Sequence, residues 1–200
     1  MQAAGGTSVD GSDSGPADPR RPALASRRAW VTFALVAAAL YTADQVSKHV
    51  AVERLTGRDD VPVVGDLLQL HLTRNPGAAF SVGTGFTVAL TCLAILATLV
   101  VLAISRRVVD RVWAVALGAL MAGIAGNLTD RMLRGPEPFR GHVVDFLRLP
   151  NWPIFNVADI SINIGVALVL IQVFRGAKMD GTRQDGPTQD DLDADPEVDE

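Results

Sequence analysis

Four apolar stretches dominate this chain of 200 residues, each near the ~20 residues needed to cross a ~30 Å hydrocarbon core. They run from Trp30 to about Val50, Gly85 to Ile104, Val112 to about Leu133, and Ile154 to Phe174. With 48% hydrophobic residues gathered into these runs, too little polar surface remains in mid-chain to clothe a soluble bundle. A backbone in lipid must satisfy its own hydrogen bonds, so the expectation is an all-α membrane protein with four transmembrane helices. Trp30, Trp113 and Trp152 lie near span ends, where interfacial tryptophans usually sit.

The net charge of −4 comes from the C-terminal end, which is acidic and almost free of large apolar residues from Asp180 onward. Such composition predicts disorder for residues 177–200, and the Gly-, Ser-, Ala- and Pro-rich residues 1–27 read the same way. The membrane domain is then 28–176. Paired arginines before an apolar stretch also fit a cleaved signal peptide, but apolar character resumes after Lys48 and three more spans follow, which favours a retained helix. Cys92 sits alone in mid-span and reads as a buried small apolar residue. Three histidines without metal-binding spacing predict no metal site.

Basic residues flank the spans unevenly. Arg20, Arg21, Arg27 and Arg28 precede the first, Arg106, Arg107 and Arg111 fill the link between the second and third, and Arg175, Lys178 and Arg183 follow the fourth. The positive-inside rule therefore places both termini and the 105–111 link in the cytoplasm, and the loops 51–84 and 134–153 outside. This topology brings the polar residues of the spans to one external level. Asp44 and Lys48 stand at i and i+4, Asn127, Asp130 and Arg131 at i, i+3 and i+4, and Asn156, Asp159 and Asn163 at i, i+3 and i+7. Acids in spans cost about 2.5–3.5 kcal/mol at the bilayer centre and are functional candidates by default. The apolar residues of the fourth span offset one such acid, at roughly −0.3 to −0.6 kcal/mol each. Small residues from Gly118 to Gly126 would let the third helix pack closely.

The outer loops also carry patterns. Leu68, Leu70 and Leu72 alternate with Gln69, His71 and Thr73, which predicts a strand at the membrane surface, broken by Asn75-Pro76-Gly77. The second loop holds Asp145 within the short apolar stretch from His142 to Leu147, a setting that should raise its pKa.

Five motifs, in order, resemble those of lipoprotein signal peptidase (signal peptidase II). They are Asp44-Gln45-Val46-Ser47-Lys48, Asn75-Pro76-Gly77-Ala78-Ala79-Phe80-Ser81, Gly126-Asn127-Leu128-Thr129-Asp130-Arg131, Val143-Val144-Asp145-Phe146 and Phe155-Asn156-Val157-Ala158-Asp159. The resemblance covers Trp30 to Phe174 and implies a four-helix bundle with a small extracytoplasmic β-cradle. It implies an aspartic endopeptidase of the bacterial cell membrane that cuts prolipoproteins before their diacylglyceryl-modified cysteine. By the same resemblance Asp145 and Asp159 match the catalytic aspartates. Asp44, Lys48, Asn75, Asn127, Arg131, Asn156 and Ala158 match residues that line or brace the site, and Asp130 reads as structural support. Two carboxylates close together would share one proton near neutral pH, so no metal or organic cofactor is needed. Membrane lipid is an expected partner, nucleic acid is not, and the oligomeric state stays open. Two departures stand out: Ala122-Gly123 where relatives often have a glycine pair, and a short spacing between Asp145 and Asp159. The rival reading is a small proton- or ion-coupled transporter, disfavoured because such sites lie near the midplane on repeated helices and no repeat is visible.

Overall fold

The computed structural model describes residues 20–77 and 87–182, without the side chains of residues 20–25. In chain order the elements are α1 (Arg20–Leu55), β1 (Val61–Val64), β2 (Leu68–Asn75), α2 (Thr87–Ser105), α3 (Arg111–Leu133), β3 (Val143–Arg148) and α4 (Val157–Phe174). All four helices are long and apolar enough to cross a membrane. Their outward faces are strongly apolar: Leu35 on α1, Leu93, Leu96 and Leu99 on α2, and Leu170 and Phe174 on α4 are all exposed. A soluble protein rarely leaves so large an apolar surface uncovered, whereas lipid covers it at no cost. Cys92 lies on this outward surface, which corrects its expected burial inside the bundle.

The first helix is longer than the apolar run that announces it. It starts at Arg20 and continues past Lys48 to Leu55, because Ala51 and Leu55 pack beneath the sheet with Val144 and Phe146. Gly57, at φ 71°, then supplies the left-handed residue that commonly ends a helix. Asp110 caps α3 by accepting the Trp113 N–H at 2.9 Å. Trp113 is not an interfacial residue: it is buried, and its indole Nε1 donates to the Ala177 carbonyl at 3.0 Å. Residues following α4 thus fold back beneath α3, with the Met179 carbonyl accepting the N–H groups of Val109 and Asp110. Residues 1–19 and 183–200, which hold most of the two segments expected to be disordered, lie outside the described residues, as do Ala78-Ala79-Phe80-Ser81 and Gly85.

The strands form one antiparallel sheet in the order β1-β2-β3. Thr73 pairs with Asp145 and Asn75 with Val143, so the end of β2 lies alongside the acid-bearing part of β3. The leucine alternation gives β2 as expected. The third strand has no alternation because Val143, Val144, Asp145 and Phe146 are all buried.

A second apolar cluster, including Ala29, Phe33, Val101, Trp113 and Leu117, fills the end of the bundle remote from the sheet. The polar side chains occupy the layer between the two clusters. Small residues on α3 make that layer possible. A Cβ on Gly123 would lie 2.3 Å from the Ala158 carbonyl, and one on Gly126 would lie 2.5 Å from Asp44 Oδ2.

Candidate active site

Asp145 and Asp159 reach one cleft of about 880 Å³, which Asn75, Asn127 and Arg131 also line. Asp145 is central in β3 and only 2% exposed. Asp159 is the third residue of α4, where its carboxylate accepts the Asn156 backbone N–H at 3.1 Å while Asn156 accepts the Asp159 N–H at 3.0 Å. This reciprocal capping box holds the Asp159 side chain at a helix N-terminus, where negative charge is stabilised.

Asn156 also couples the two acids. Its side-chain amide donates to Asp145 Oδ1 at 2.6 Å and to Asn127 Oδ1 at 3.2 Å. Asn127 in turn donates to Asp159 Oδ1 at 2.9 Å. Asn75 donates to Asp145 Oδ2 at 3.0 Å. The short spacing in sequence helps: Leu147 and Phe155 pair across the loop, their N–H groups and carbonyls exchanging hydrogen bonds of 2.8 and 3.0 Å. A closed loop therefore ties the strand of Asp145 to the helix of Asp159.

Burial pushes the Asp145 carboxyl up to about 6, and the negative charge of Asp159 adds to that rise. The amide donors Asn75 and Asn156, and the Lys48 charge, oppose it without cancelling it. An acid with this affinity for its proton, beside a second carboxylate, is suited to proton transfer near neutral pH.

Below the cleft lies a fully buried charge cluster. Lys48 is 0% exposed, and its Nζ lies 2.9 Å from both Asp44 Oδ2 and Asp130 Oδ2 while donating to Asn127 Oδ1 at 2.9 Å. Asp44 accepts the Ala158 N–H at 2.8 Å and a Gln45 amide at 3.0 Å. Asp130 accepts the Val144 N–H at 3.1 Å and Arg134 Nε at 2.6 Å. Buried charges persist only when paired and hydrogen-bonded in this way.

Of the residues singled out from the sequence, Asp145, Asp159, Asn75, Asn127 and Arg131 line the cleft. Asp44, Lys48, Asp130, Asn156 and Ala158 are buried behind it and brace it. Arg131 Nη1 is buried with no hydrogen-bond partner among the described residues. Sequence reading missed Arg134, although its i+4 spacing from Asp130 was a usable signal. It also missed Gly141, whose N–H donates to the Arg131 carbonyl at 3.0 Å. A Cβ there would lie 2.4 Å from the Asp130 carbonyl, a close approach with no local sequence signature. Trp152, Ile160 and Ile164 form an apolar side of the cleft that the motifs did not include.

The family model of signal peptidase (SPase) II matches residues 36–175, which include every residue of this site. The chain belongs to the signal peptidase II family. A lipoprotein signal peptidase of Streptomyces griseus is 41% identical over 177 residues, covering 87% of this chain and 90% of its own. One of Mycobacterium avium is 46% identical over 140 residues, covering 70% and 77%. A bacterial membrane enzyme solved in meso at 2.3 Å resolution superposes with a TM-score of 0.64 at 28% identity, covering 78% of this chain and 94% of its own. Signal peptidase II membership makes this chain a protease, and with four apolar helices it is a multi-pass bacterial membrane protein. The transporter reading is set aside.

Proposed function

We propose that this chain is an aspartic endopeptidase that removes signal peptides from prolipoproteins, cutting before the diacylglyceryl-modified cysteine, with Asp145 and Asp159 as its catalytic pair. The single observation that carries this reading is the Asn156 bridge, which donates to both carboxylates in one cleft. One carboxylate takes a proton from the attacking water while the other donates to the scissile carbonyl oxygen, and the roles reverse as the amine leaves. The pair titrates as a unit, so acid and base are not assigned singly. Asn75, Asn127 and Arg131 line the cleft and orient the substrate backbone or the dyad. The apolar side made by Trp152, Ile160 and Ile164 suits a lipid-anchored substrate, whose anchor fixes the bond at membrane depth.

The distribution of arginines supports both termini in the cytoplasm and the cleft at the extracytoplasmic face. The test is cleavage of a diacylglyceryl-modified prolipoprotein by the purified chain, compared with Asp145→Asn and Asp159→Asn. Wild type cuts, and each variant loses at least about a hundredfold in kcat. Full turnover by Asp145→Asn, with Asp130→Asn inactive but stably folded, would make the assigned pair wrong.

A further inference from the structure

A second cleft, of about 710 Å³, opens between α1 and α3 at the end of the bundle remote from the catalytic aspartates. Its lining is Arg27, Arg28, Val31, Thr32, Arg111 and Val115. Three arginines from two helices therefore line this groove together with the aliphatic side chains of Val31 and Val115. None of the three arginines forms an ion pair among the described residues. The carboxylate nearest in sequence, Asp110, is engaged elsewhere: its Oδ1 accepts the Trp113 N–H and the Gln172 amide. Thr32 is likewise turned back onto its own helix, donating to the Arg28 carbonyl at 3.0 Å. Among the described residues, the positive charge of this groove is thus left without a counter-charge.

The depth of the groove identifies that partner. Trp30, 46% exposed on the same turn of α1, has the placement of a residue at the boundary between headgroups and acyl chains. A ligand there meets arginine at headgroup level and valine one turn deeper. Planar guanidinium forks bind phosphate oxygens bidentately, and basic pockets between transmembrane helices on the cytoplasmic side take anionic headgroups. We propose that the α1–α3 groove is a binding site for one anionic phospholipid of the cytoplasmic leaflet, its phosphate held by Arg27, Arg28 and Arg111 and its acyl chain lying along Val31 and Val115. The inference rests on these helices crossing a bilayer with the N-terminus in the cytoplasm, as proposed above, and not on the aspartate pair.

The test uses the full chain in neutral detergent, titrated with phosphatidylglycerol or phosphatidylcholine and read by native mass spectrometry. Phosphatidylglycerol is retained in preference to phosphatidylcholine. Each Arg→Gln change weakens that retention about fivefold, and Arg27→Gln/Arg28→Gln/Arg111→Gln together about a hundredfold, following the usual contribution per basic residue at an anionic surface. Unchanged prolipoprotein cleavage by the triple variant in phosphatidylcholine micelles shows that it is folded. If it does not fold, Arg111→Gln alone serves, with its fivefold loss. Equal retention of the two lipids, or equal retention of phosphatidylglycerol by wild type and variant, overturns the proposal. So does binding of inorganic phosphate as tight as that of the lipid. A tenfold gain in lipid affinity on neutralising the acids of residues 185–200 would make the acidic tail the native occupant, and the proposal would fail.

Discussion

Lys48 Nζ lies 2.9 Å from Asp130 Oδ2, and that same oxygen accepts the N–H of Val144, the residue preceding Asp145. A buried ion pair between α1 and α3 therefore also fixes the height of the strand that carries Asp145. Replacing Asp130 by Asn removes the counter-charge of a fully buried ammonium and weakens the Arg134 contact. Breaking a buried pair on one side costs about 3–5 kcal/mol. Unfolding of Asp130→Asn in detergent should show a loss of that size, whereas Asp145→Asn should show none while losing activity.

The raised pKa of Asp145 makes stability depend on pH in a defined direction. The folded chain holds this proton to about 6, against 3.8 when unfolded, so the contribution is complete below pH 3.8 and is lost as pH rises through about 6. Wild type should lose roughly 2–2.5 kcal/mol relative to Asp145→Asn between pH 4 and pH 7. Unfolding free energies of the two proteins, measured across that range, give the difference directly. A difference that grew in favour of wild type would contradict the burial of this carboxyl.

On the proposed mechanism the same proton also governs the rate. A pair that needs one shared proton loses competence once both carboxylates ionise, so kcat/KM should fall as pH rises above the apparent pKa values of the pair. Asp145, at about 6, is the member expected to leave its mark on the alkaline limb. Single-turnover cleavage of a lipidated peptide across pH 5 to 8.5 checks this, and a flat profile would count against proton sharing.

Asn156→Ala removes the donor to Asp145, the donor to Asn127 and the cap of α4 in a single change. Loss of an N-cap alone costs about 1 kcal/mol, and the buried amide bonds add to it. The chain should remain folded but lose activity at least about a hundredfold, mainly in kcat, because Asn156 is fully buried and contacts Asp145 and Asn127. A change confined to KM would argue that Asn156 contacts substrate instead.

Gly126→Ala should be damaging although it adds only a methyl group. The new Cβ would lie 2.5 Å from Asp44 Oδ2, inside a cluster with no room to shift. Overpacking of this kind costs about 1–3 kcal/mol. Gly135→Ala, where a Cβ meets nothing within 4 Å, is the matched control and should leave the thermal midpoint unchanged.

Much of this architecture was legible in the residues. The spans of α2 and α3 are nearly as long as their apolar runs, because each run ends where the helix leaves lipid. The paired spacing of Asp44 and Lys48 and the triplet Asn127, Asp130 and Arg131 announced which helix faces turn inward. Hydropathy could not show that α1 runs on to Leu55, since its last turns are fixed by the sheet and not by lipid. Nor could periodicity find β3, whose residues 143–146 are buried whichever way they point, or β1, whose four residues are all exposed and include Pro62. The site itself was readable as a set of residues but not as a wiring pattern. Asp145 had no visible partner until the fold brought Asn75 from β2 and Asn156 from the start of α4 against it.

The buried charges join α1 to α3, and Asp44 also grips the first turn of α4 through the Ala158 N–H. No segment holds this polar network alone, so the cleft of Asp145 and Asp159 takes shape only when the last helix docks against the other three elements.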